Sequence, residues 1–470
     1  MIAGIAIFWI GCTFWLRTDA GVPNWLLPLA LVAGTTLTLF VRPTERSAHT
    51  PRHPDKTWLL VAVLGAFAAV LATATFLLGH GATSTGSRHW DGAASFDAKV
   101  HWLTGTPTLQ QPFFADPAVF HHSPDYPLLL PLLTAMFDRN ALGLGRLAMP
   151  ALYLLLCLLA GGALMRHTQR VVVGVLGAAA LAVTPMLLRP GGGAADSGYS
   201  ELPMLLATTV VMIGLLDRSF ARIACGALLA IASKPEGLPY CAVAIAACFA
   251  TRERRSMWAA WLGCSLALLL WQPVRETLLH VDPGESSMAP LLAAIAILAV
   301  ALFAADVLAG TRTWLRIAFV CLPIAVGVAL LPWLAAHASG DSALAVYLRR
   351  GADVLPGLAN IPAYLAALVD YSMLRLRYGL VPLLALLTLA AMFKLRIPRA
   401  ANAGHVFVLL GVAATAVPFV LSPEPDLGHH LRSSLPRLAL HWIGPLTLLT
   451  TIWLDRVLAF SPNAGPAVRT

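Results

Sequence analysis

The amino-acid sequence predicts an all-α protein that crosses a membrane many times. Hydrophobic residues make up 58% of the 470 residues and charged residues only 12%, whereas charged residues reach about 25% in a typical soluble domain. The mean hydropathy is +0.75. Long apolar segments alternate with polar loops along most of the chain. Because lipid offers the backbone no hydrogen-bond partner, segments of this length are expected to cross the membrane as helices.

Fourteen apolar segments are candidates for membrane helices, and the longer ones approach the roughly 20 residues that a span needs. They cover residues 1–16, 24–41, 57–79, 145–165, 171–188, 202–216, 222–234, 238–250, 257–272, 290–309, 317–336, 379–393, 405–421 and 438–455. The short segments 222–234 and 238–250 could instead form one hairpin that does not fully cross. We therefore predict a bundle of about 11–14 transmembrane helices. It forms one domain over residues 1–460, and a disordered cytoplasmic tail follows at 461–470.

Basic loops predict how the chain is oriented, because cytoplasmic loops carry an excess of Lys and Arg. These loops lie at residues 42–56, 166–170, 217–222, 251–255, 310–316 and 393–399. They alternate with the remaining loops, so we place both termini in the cytoplasm and residues 80–144 in a large first outer loop. The formal net charge of +9 is explained by the basic loops, and we predict no nucleic-acid partner. The predicted location is the inner (cytoplasmic) membrane.

The first outer loop contains an unusual concentration of ionisable side chains. Its segment WDGAASFDAKVHWL includes Trp90, Asp91, Asp97 and Lys99. A carboxylate and an ammonium group on one outer helix suit a reaction between an acceptor hydroxyl and a phosphate leaving group. An interfacial helix, anchored at the headgroups by its tryptophans, explains the same residues equally well.

Residues 121–131, HHSPDYPLLLP, form the second candidate segment of this loop. Their prolines exclude a regular helix and predict a rigid, extended segment. We take four of its side chains as candidate substrate-binding groups: His121, His122, Asp125 and Tyr126. The histidine pair could bind a metal, but no carboxylate stands at helical spacing from it. We therefore predict no metal site; the sequence identifies no cofactor, and a divalent metal stays an alternative.

Two later outer loops place charges beside apolar segments, where charges are costly unless paired or solvated. The first delivers Tyr199 and Glu201 to the start of a helix. Glu201 is either a functional acid or a carboxylate favoured there by the helix dipole. The second, SKPEG, contains Lys234 and Glu236, which pair with each other or leave Lys234 to bind a lipid phosphate.

The last outer loop leads into the final apolar segment and contains Arg437 and His441. These residues are four apart and therefore share one helix face. Arg437 is suited to grip a phosphate through charge-assisted hydrogen bonds. An arginine that merely extends to the membrane interface is the simpler alternative.

Taken together, these segments resemble the polytopic glycosyltransferases of the GT-C fold, in particular the bacterial relatives of the dolichyl-phosphate-mannose protein mannosyltransferases. The first outer loop is similar to that family's WDA…W..KA pattern. Trp90 and Asp91 begin the pattern, Phe96 replaces the second tryptophan, and Lys99 stands at the lysine position. The segment 126–131 resembles the family's YP..P element.

Three later elements extend the resemblance. Residues 198–203 are similar to GYAD-L-P, with Glu201 in place of the aspartate, and residues 233–237 are similar to TKNEG. The late element H…S..R…H/Q..P is matched by His430, Ser434, Arg437, His441 and Pro445. The five elements occur in the family's order and span about three quarters of the chain. They point to the superfamily and not to one sugar.

The resemblance implies transfer of a sugar from a polyprenyl-phosphate carrier to an acceptor glycan, lipid or protein at the outer face of the membrane. It assigns the general base to Asp91, with Asp97 and Glu201 as the competing carboxylates. The cations available for the donor phosphate are Lys99, Lys234 and Arg437, with His441 beside them. Displacement of the phosphate by an acceptor that Asp91 deprotonates would invert the anomeric centre.

Two other classes of membrane protein use similar side chains. A transporter or flippase for a lipid-linked saccharide also needs cations for phosphate, but would more often show internal repeats and charges near the midplane. A polymerase or ligase for lipid-linked glycans shares the substrate and the side of the membrane. Neither accounts for the five sequence elements.

Overall fold

The structure is a computed structural model. It describes residues 1–40, 56–84, 96–116, 126–140, 144–188, 199–281, 286–310, 312, 314–316, 318, 357–395, 402–420 and 426–460. Every regular element in these residues is helical, so the all-α prediction is confirmed for them. Several sequence-predicted features lie outside the described residues: Trp90, Asp91, His121, His122, Asp125, the segment 319–336 and the tail 461–470.

Twenty helices are numbered here in chain order. They are α1 (Ile2–Trp15), α2 (Leu26–Phe40), α3 (Thr57–Ser84), α4 (Ala98–Gly105), α5 (Pro112–Ala115), α6 (Leu129–Asn140), α7 (Ala148–His167), α8 (Val171–Ala182), α9 (Pro185–Leu188), α10 (Glu201–Leu216), α11 (Phe220–Ser233), α12 (Gly237–Ala250), α13 (Arg254–Leu278), α14 (Met288–Ala309), α15 (Ile361–Val369), α16 (Val381–Lys394), α17 (Ala403–Ala414), α18 (Val417–Val420), α19 (Leu427–Leu440) and α20 (Ile443–Ala459).

Five helical segments within the described residues are long and apolar enough to cross a membrane. They are Thr57–Thr83, Gly145–His167, Arg254–Leu278, Met288–Ala309 and Ala403–Val420. Shorter apolar helices of 10–17 residues accompany them. The chain is therefore a helical membrane protein, and the total of about 11–14 spans stays a prediction.

Burial distinguishes the central helix from the peripheral ones. Helix α10 is buried from Glu201 to Leu215. In contrast, only 11% of the apolar window of α3 and 6% of that of α14 are buried inside the protein. Large apolar side chains such as Phe76 and Phe303 are exposed on these two helices. An apolar helix that is exposed on most sides is typical of one that faces lipid, as α3 and α14 are. Helix α10, which is buried along its length, lies at the centre of the bundle.

Contacts between helix termini show that the bundle has two chemically different ends. Asp217, which follows α10, accepts a hydrogen bond from Nε2 of His167 at the end of α7, at 2.6 Å. Asp455, near the end of α20, accepts one from the backbone N–H of Gln169 at 2.6 Å. The basic loops after α7 and α10 therefore lie together with the end of α20. The first residues of α10 and α20 lie at the opposite end.

Two boundaries differ from the sequence-based prediction. Helix α13 continues beyond residue 272 through Pro273 to Leu278, because Trp271 and Val274 are buried on both sides of the proline and their packing outweighs one missing N–H. Residues 337–378 lie between two candidate membrane segments, 317–336 and 379–393, but they include α15. Its Tyr364 is buried and its hydroxyl lies 2.6 Å from the Thr415 hydroxyl.

Cysteine labelling would test the predicted orientation of these two ends. A cysteine at Ser433, an exposed position on α19, should react with a membrane-impermeant thiol reagent on intact cells. A cysteine at the exposed Arg255 should react only after lysis, because it lies in a basic loop. The native cysteines within the described residues are buried or half-buried, which lowers the background. The opposite labelling pattern would invert the orientation.

Candidate functional site

A buried ion pair between Glu201 and Lys234 lies at the centre of the candidate site. Glu201 begins α10 and is fully buried, and Lys234 follows α11 with 6% of its surface exposed. The Lys234 Nζ donates a hydrogen bond to Oε1 of Glu201 at 2.9 Å. The start of a helix favours a carboxylate because its free N–H groups are partly positive. Charges this deeply buried persist only when they are paired.

A three-residue turn between α11 and α12 presents Lys234 and adds a second carboxylate. Oε1 of Glu236 lies 3.5 Å from the Lys234 Nζ. The negative charges of Glu201 and Glu236, both within 3.5 Å of the ammonium group, favour the charged form of Lys234. The turn is tightly packed, since a Cβ at Gly237 would collide with the backbone of Ala230. Lys234 is therefore a fixed, permanently charged group.

Arg437 reaches the same carboxylate from α19. Its Nε lies 3.9 Å from Oε1 of Glu201 and donates a hydrogen bond to the backbone oxygen of Ser433 at 3.1 Å. Its guanidinium stacks over the ring of Tyr199, 5.1 Å from the ring centre. A planar cation stacked on an aromatic face is held in one orientation. Two cations from different helices thus meet at Glu201.

His441 is fully buried between α19 and α20. The Tyr240 hydroxyl lies 3.0 Å from its Nδ1. The Thr208 hydroxyl of α10 donates a hydrogen bond to the His441 backbone oxygen at 2.5 Å. Gly444 lies directly against Thr209 of the same helix. These contacts fix the entry into α20 on the central helix, beside the ion pair.

Tyr126 closes the site from the first outer loop. The negative charge of Glu236 is the largest cause that raises the pKa of the Tyr126 phenol, and burial of the side chain raises this pKa further. Its ring lies 6.1 Å from the ring of Phe96. Phe96 and Asp97 immediately precede α4. The segment of the outer loop that begins at Phe96 is thereby in contact with the site.

Two candidates from that segment have their own surroundings. Asp97 forms an ion pair with Arg146, at 3.1 Å between its Oδ2 and the guanidinium. Lys99 lies on α4 and is only 1% exposed. The structure thus gives Asp97 a cationic partner at the start of α7 and makes Lys99 a buried cation of the outer loop.

Seven of the sequence-predicted residues come together in space: Tyr126, Tyr199, Glu201, Lys234, Glu236, Arg437 and His441. Tyr240 was not among the residues predicted from the sequence. One indication of it was present, since Tyr240 stands four residues after Glu236 and therefore one helical turn into α12. Trp90, Asp91, His121, His122 and Asp125 lie outside the described residues.

Several buried polar atoms at this site have no hydrogen-bond partner among the described residues. They are the Ser200 hydroxyl, Oε2 of Glu201, Oε2 of Glu236 and Nε2 of His441. Buried polar atoms are nearly always paired in folded proteins. Such a cluster around two cations is typical of a site that is completed by a polar ligand.

No metal-binding group of three or more His, Cys, Asp and Glu side chains occurs in the part of the chain that the structure describes. The site offers two cations, two carboxylates, three tyrosines and one imidazole at one end of the bundle. A scan of the chain against protein-family models found no match, and a search of curated proteins found none either.

Proposed function

We propose that the chain is an integral-membrane glycosyltransferase of the GT-C fold. It transfers a sugar from a polyprenyl-phosphate donor to an acceptor at the outer face of the cytoplasmic membrane. The observation that supports this most strongly is the meeting of Lys234 and Arg437 at the buried carboxylate of Glu201. Three of the five family-like sequence elements contribute these three residues.

The two cations suit a phosphate leaving group. A phosphate leaves a sugar readily only when its growing negative charge is stabilised, and fixed cations in a water-poor site do this well. Glu201 keeps the cations in place before the donor arrives, since two unpaired buried cations would repel each other. The Arg437 Nε lies 3.9 Å from Oε1 of Glu201, and its planar guanidinium suits bidentate binding of a phosphate.

The acceptor hydroxyl needs a base on the opposite side of the sugar. Glu201 is poorly suited, because Lys234 already donates to it, and Asp97 is paired with Arg146. We therefore keep Asp91 as the general base, which lies outside the described residues. Attack by the deprotonated hydroxyl opposite the phosphate inverts the anomeric centre.

An apolar groove supports binding of a lipid chain. A cavity of about 770 Å³ lies between α3 and α7 and is lined by residues that include Leu71, Phe76, His80 and Leu147. Its apolar walls suit a hydrocarbon chain. Leu147 adjoins Arg146, whose partner Asp97 begins the segment in contact with Tyr126. His167 at the far end of α7 contacts Asp217 at the far end of α10, so Leu147 and Glu201 lie at the same end of the bundle. A prenyl chain whose phosphate lies beside Leu147 would thus have that phosphate at the same end as the site.

The direct test is a transfer assay with purified protein and a labelled polyprenyl-phosphate sugar. Release of the label from the carrier onto a hydroxyl acceptor, with inverted anomeric configuration, is the expected result. Movement of intact carrier across vesicles without release of sugar would favour the flippase alternative. A glycan that grows while still linked to its carrier would favour the polymerase.

Arg437 provides a graded test of phosphate binding. Arg437→Lys retains the charge but loses the planar fork, so we expect a higher KM for the donor. Arg437→Ala should lose about 1–3 kcal/mol of donor interaction, the usual range for a hydrogen bond to a charged group. Arg432→Ala, at an exposed position five residues earlier on α19, is the matched control and should behave as wild type. Unchanged kinetics in Arg437→Ala would remove Arg437 from the site.

A further inference from the structure

The pair formed by Tyr240 and His441 contains a buried polar atom that makes no hydrogen bond to any described residue. Nδ1 of His441 lies 3.0 Å from the Tyr240 hydroxyl. Its other ring nitrogen, Nε2, is buried and has no hydrogen-bond partner among the described residues. The imidazole interacts electrostatically with Glu201, Lys234 and Arg437. The unused atom therefore belongs to a ring at the centre of the candidate site.

The position of the proton on the ring follows from counting donors and acceptors. A neutral imidazole carries one proton, on either Nδ1 or Nε2. If Nδ1 carried it, the phenol proton of Tyr240 would have no acceptor among the described residues, and Nε2 would be an unused acceptor as well. If Tyr240 donates to Nδ1, only the Nε2 proton is left without a partner. An unmade buried hydrogen bond is costly, so the second arrangement is favoured.

The charge of the ring follows from its neighbours. His441 is fully buried, and burial disfavours an imidazolium ion. Lys234 and Arg437 place two positive charges nearby, and the single negative charge of Glu201 opposes only part of their effect. The ring is therefore a neutral group with one N–H, and it adds a directed hydrogen-bond donor without adding a third cation.

We propose that Tyr240 holds His441 in the Nε2–H tautomer, so that this N–H donates a hydrogen bond to a phosphate oxygen of the donor. The proposal rests on the proposed function, because it takes the ligand to be a polyprenyl phosphate. Tyr240 is then a positioning residue that sets which ring nitrogen bears the proton. His441 is the residue that touches the ligand, and it directs one oxygen while Lys234 and Arg437 neutralise the charge.

Nitrogen NMR of the full chain labelled with ¹⁵N-histidine tests the tautomer without any ligand. The His441 signal is identified by its loss in His441→Gln. An unprotonated Nδ1 and a protonated Nε2 are expected in the wild type, and Tyr240→Phe should shift the ring toward the other tautomer. A protonated Nδ1 in the wild type would overturn the proposal.

Binding of a sugar-free polyprenyl phosphate in detergent micelles tests the ligand. The His441→Gln side chain places an N–H close to the position of Nε2, and that of His441→Asn places it nearer Nδ1. We expect Gln to bind nearly as well as the wild type, and Asn about tenfold to a hundredfold more weakly. Thermal unfolding of both variants monitors the fold.

The outcomes separate this inference from the proposed function. If both His441 variants bind polyprenyl phosphate as well as the wild type does, the proposed hydrogen bond from Nε2 is wrong. The proposed glycosyltransferase activity is not affected by that result. Another outcome is that the variants bind polyprenyl phosphate with the expected ranking while the wild type transfers no sugar. In that case the hydrogen bond from His441 to the phosphate is supported and the proposed glycosyltransferase activity is wrong. If the wild type does not bind polyprenyl phosphate, the proposed ligand of His441 is wrong.

Discussion

Replacing Asp91 by Asn should reduce sugar transfer by about 10²–10⁴-fold, the usual contribution of a general base. The asparagine has nearly the same size and can still accept a hydrogen bond, but it cannot take a proton at neutral pH. Binding of the polyprenyl-phosphate donor and the thermal unfolding temperature should therefore stay near those of the wild type. Single-turnover transfer with a saturating donor measures the effect on the chemical step.

Asp97→Asn is the matched control, since it makes the same change at the nearest other carboxylate of that loop. Asp97 pairs with Arg146 at 3.1 Å, and both side chains are partly exposed. We expect a loss of stability of at most about 1 kcal/mol, as for a surface ion pair, and a transfer rate close to that of the wild type. An inactive Asp97→Asn beside an active Asp91→Asn would exchange the two roles. Activity in both variants would make this loop an interfacial anchor and move the base to Glu201.

Replacing Lys234 by Met should abolish transfer and also destabilise the fold, by about 3–5 kcal/mol as for other broken buried pairs. The substitution removes the direct partner of Glu201, whose carboxylate is fully buried, and leaves only Arg437 at 3.9 Å. The yield of folded protein and the unfolding temperature in detergent measure the loss of stability. Transfer measured per folded molecule reports the loss of function separately.

The double variant Lys234→Met/Glu201→Gln separates stability from function. Because neither partner is then a buried unpaired charge, much of the stability should return. Transfer should not return, since the donor phosphate has lost one of its cations. Recovery of both properties would mean that the ion pair is only structural. A single Lys234→Met variant as stable as the wild type would mean that the pair does not hold these helices together.

The helices themselves were largely predictable, because each apolar segment of sufficient length must satisfy its own backbone hydrogen bonds. Helix α15 was not predicted, since its nine residues are too few for a span and the segment lies in a long stretch between two others. The sequence predicted that α13 ends before Pro273, but the helix continues to Leu278. The packing of Trp271 and Val274 that allows this depends on the tertiary structure, which the sequence pattern does not show. The number of complete spans stays a prediction.

Sequence elements singled out seven residues that the structure brings together, but they did not indicate how these residues pair. Lys234 has a carboxylate two residues away in Glu236, and the sequence suggested either that the two pair or that Lys234 binds a lipid phosphate. The shorter contact is with Glu201, which depends on how α10 and α11 pack side by side. Tyr240 was missed for a similar reason. A tyrosine in an apolar helix becomes informative only when the side chain opposite its hydroxyl is known.

The length of the central helix has a consequence for how a membrane surrounds the site. Helix α10 has 16 residues and is therefore about 24 Å long, whereas the hydrocarbon region is about 30 Å thick. With Asp217 at one boundary of that region, Glu201 lies about 6 Å inside the other. Because α10 is buried within the bundle and does not face lipid, the difference should leave a water-filled recess in the protein above the carboxylate. A carrier lipid would then bring its phosphate to Lys234 and Arg437 by sinking a short distance, with its chain still in the hydrocarbon.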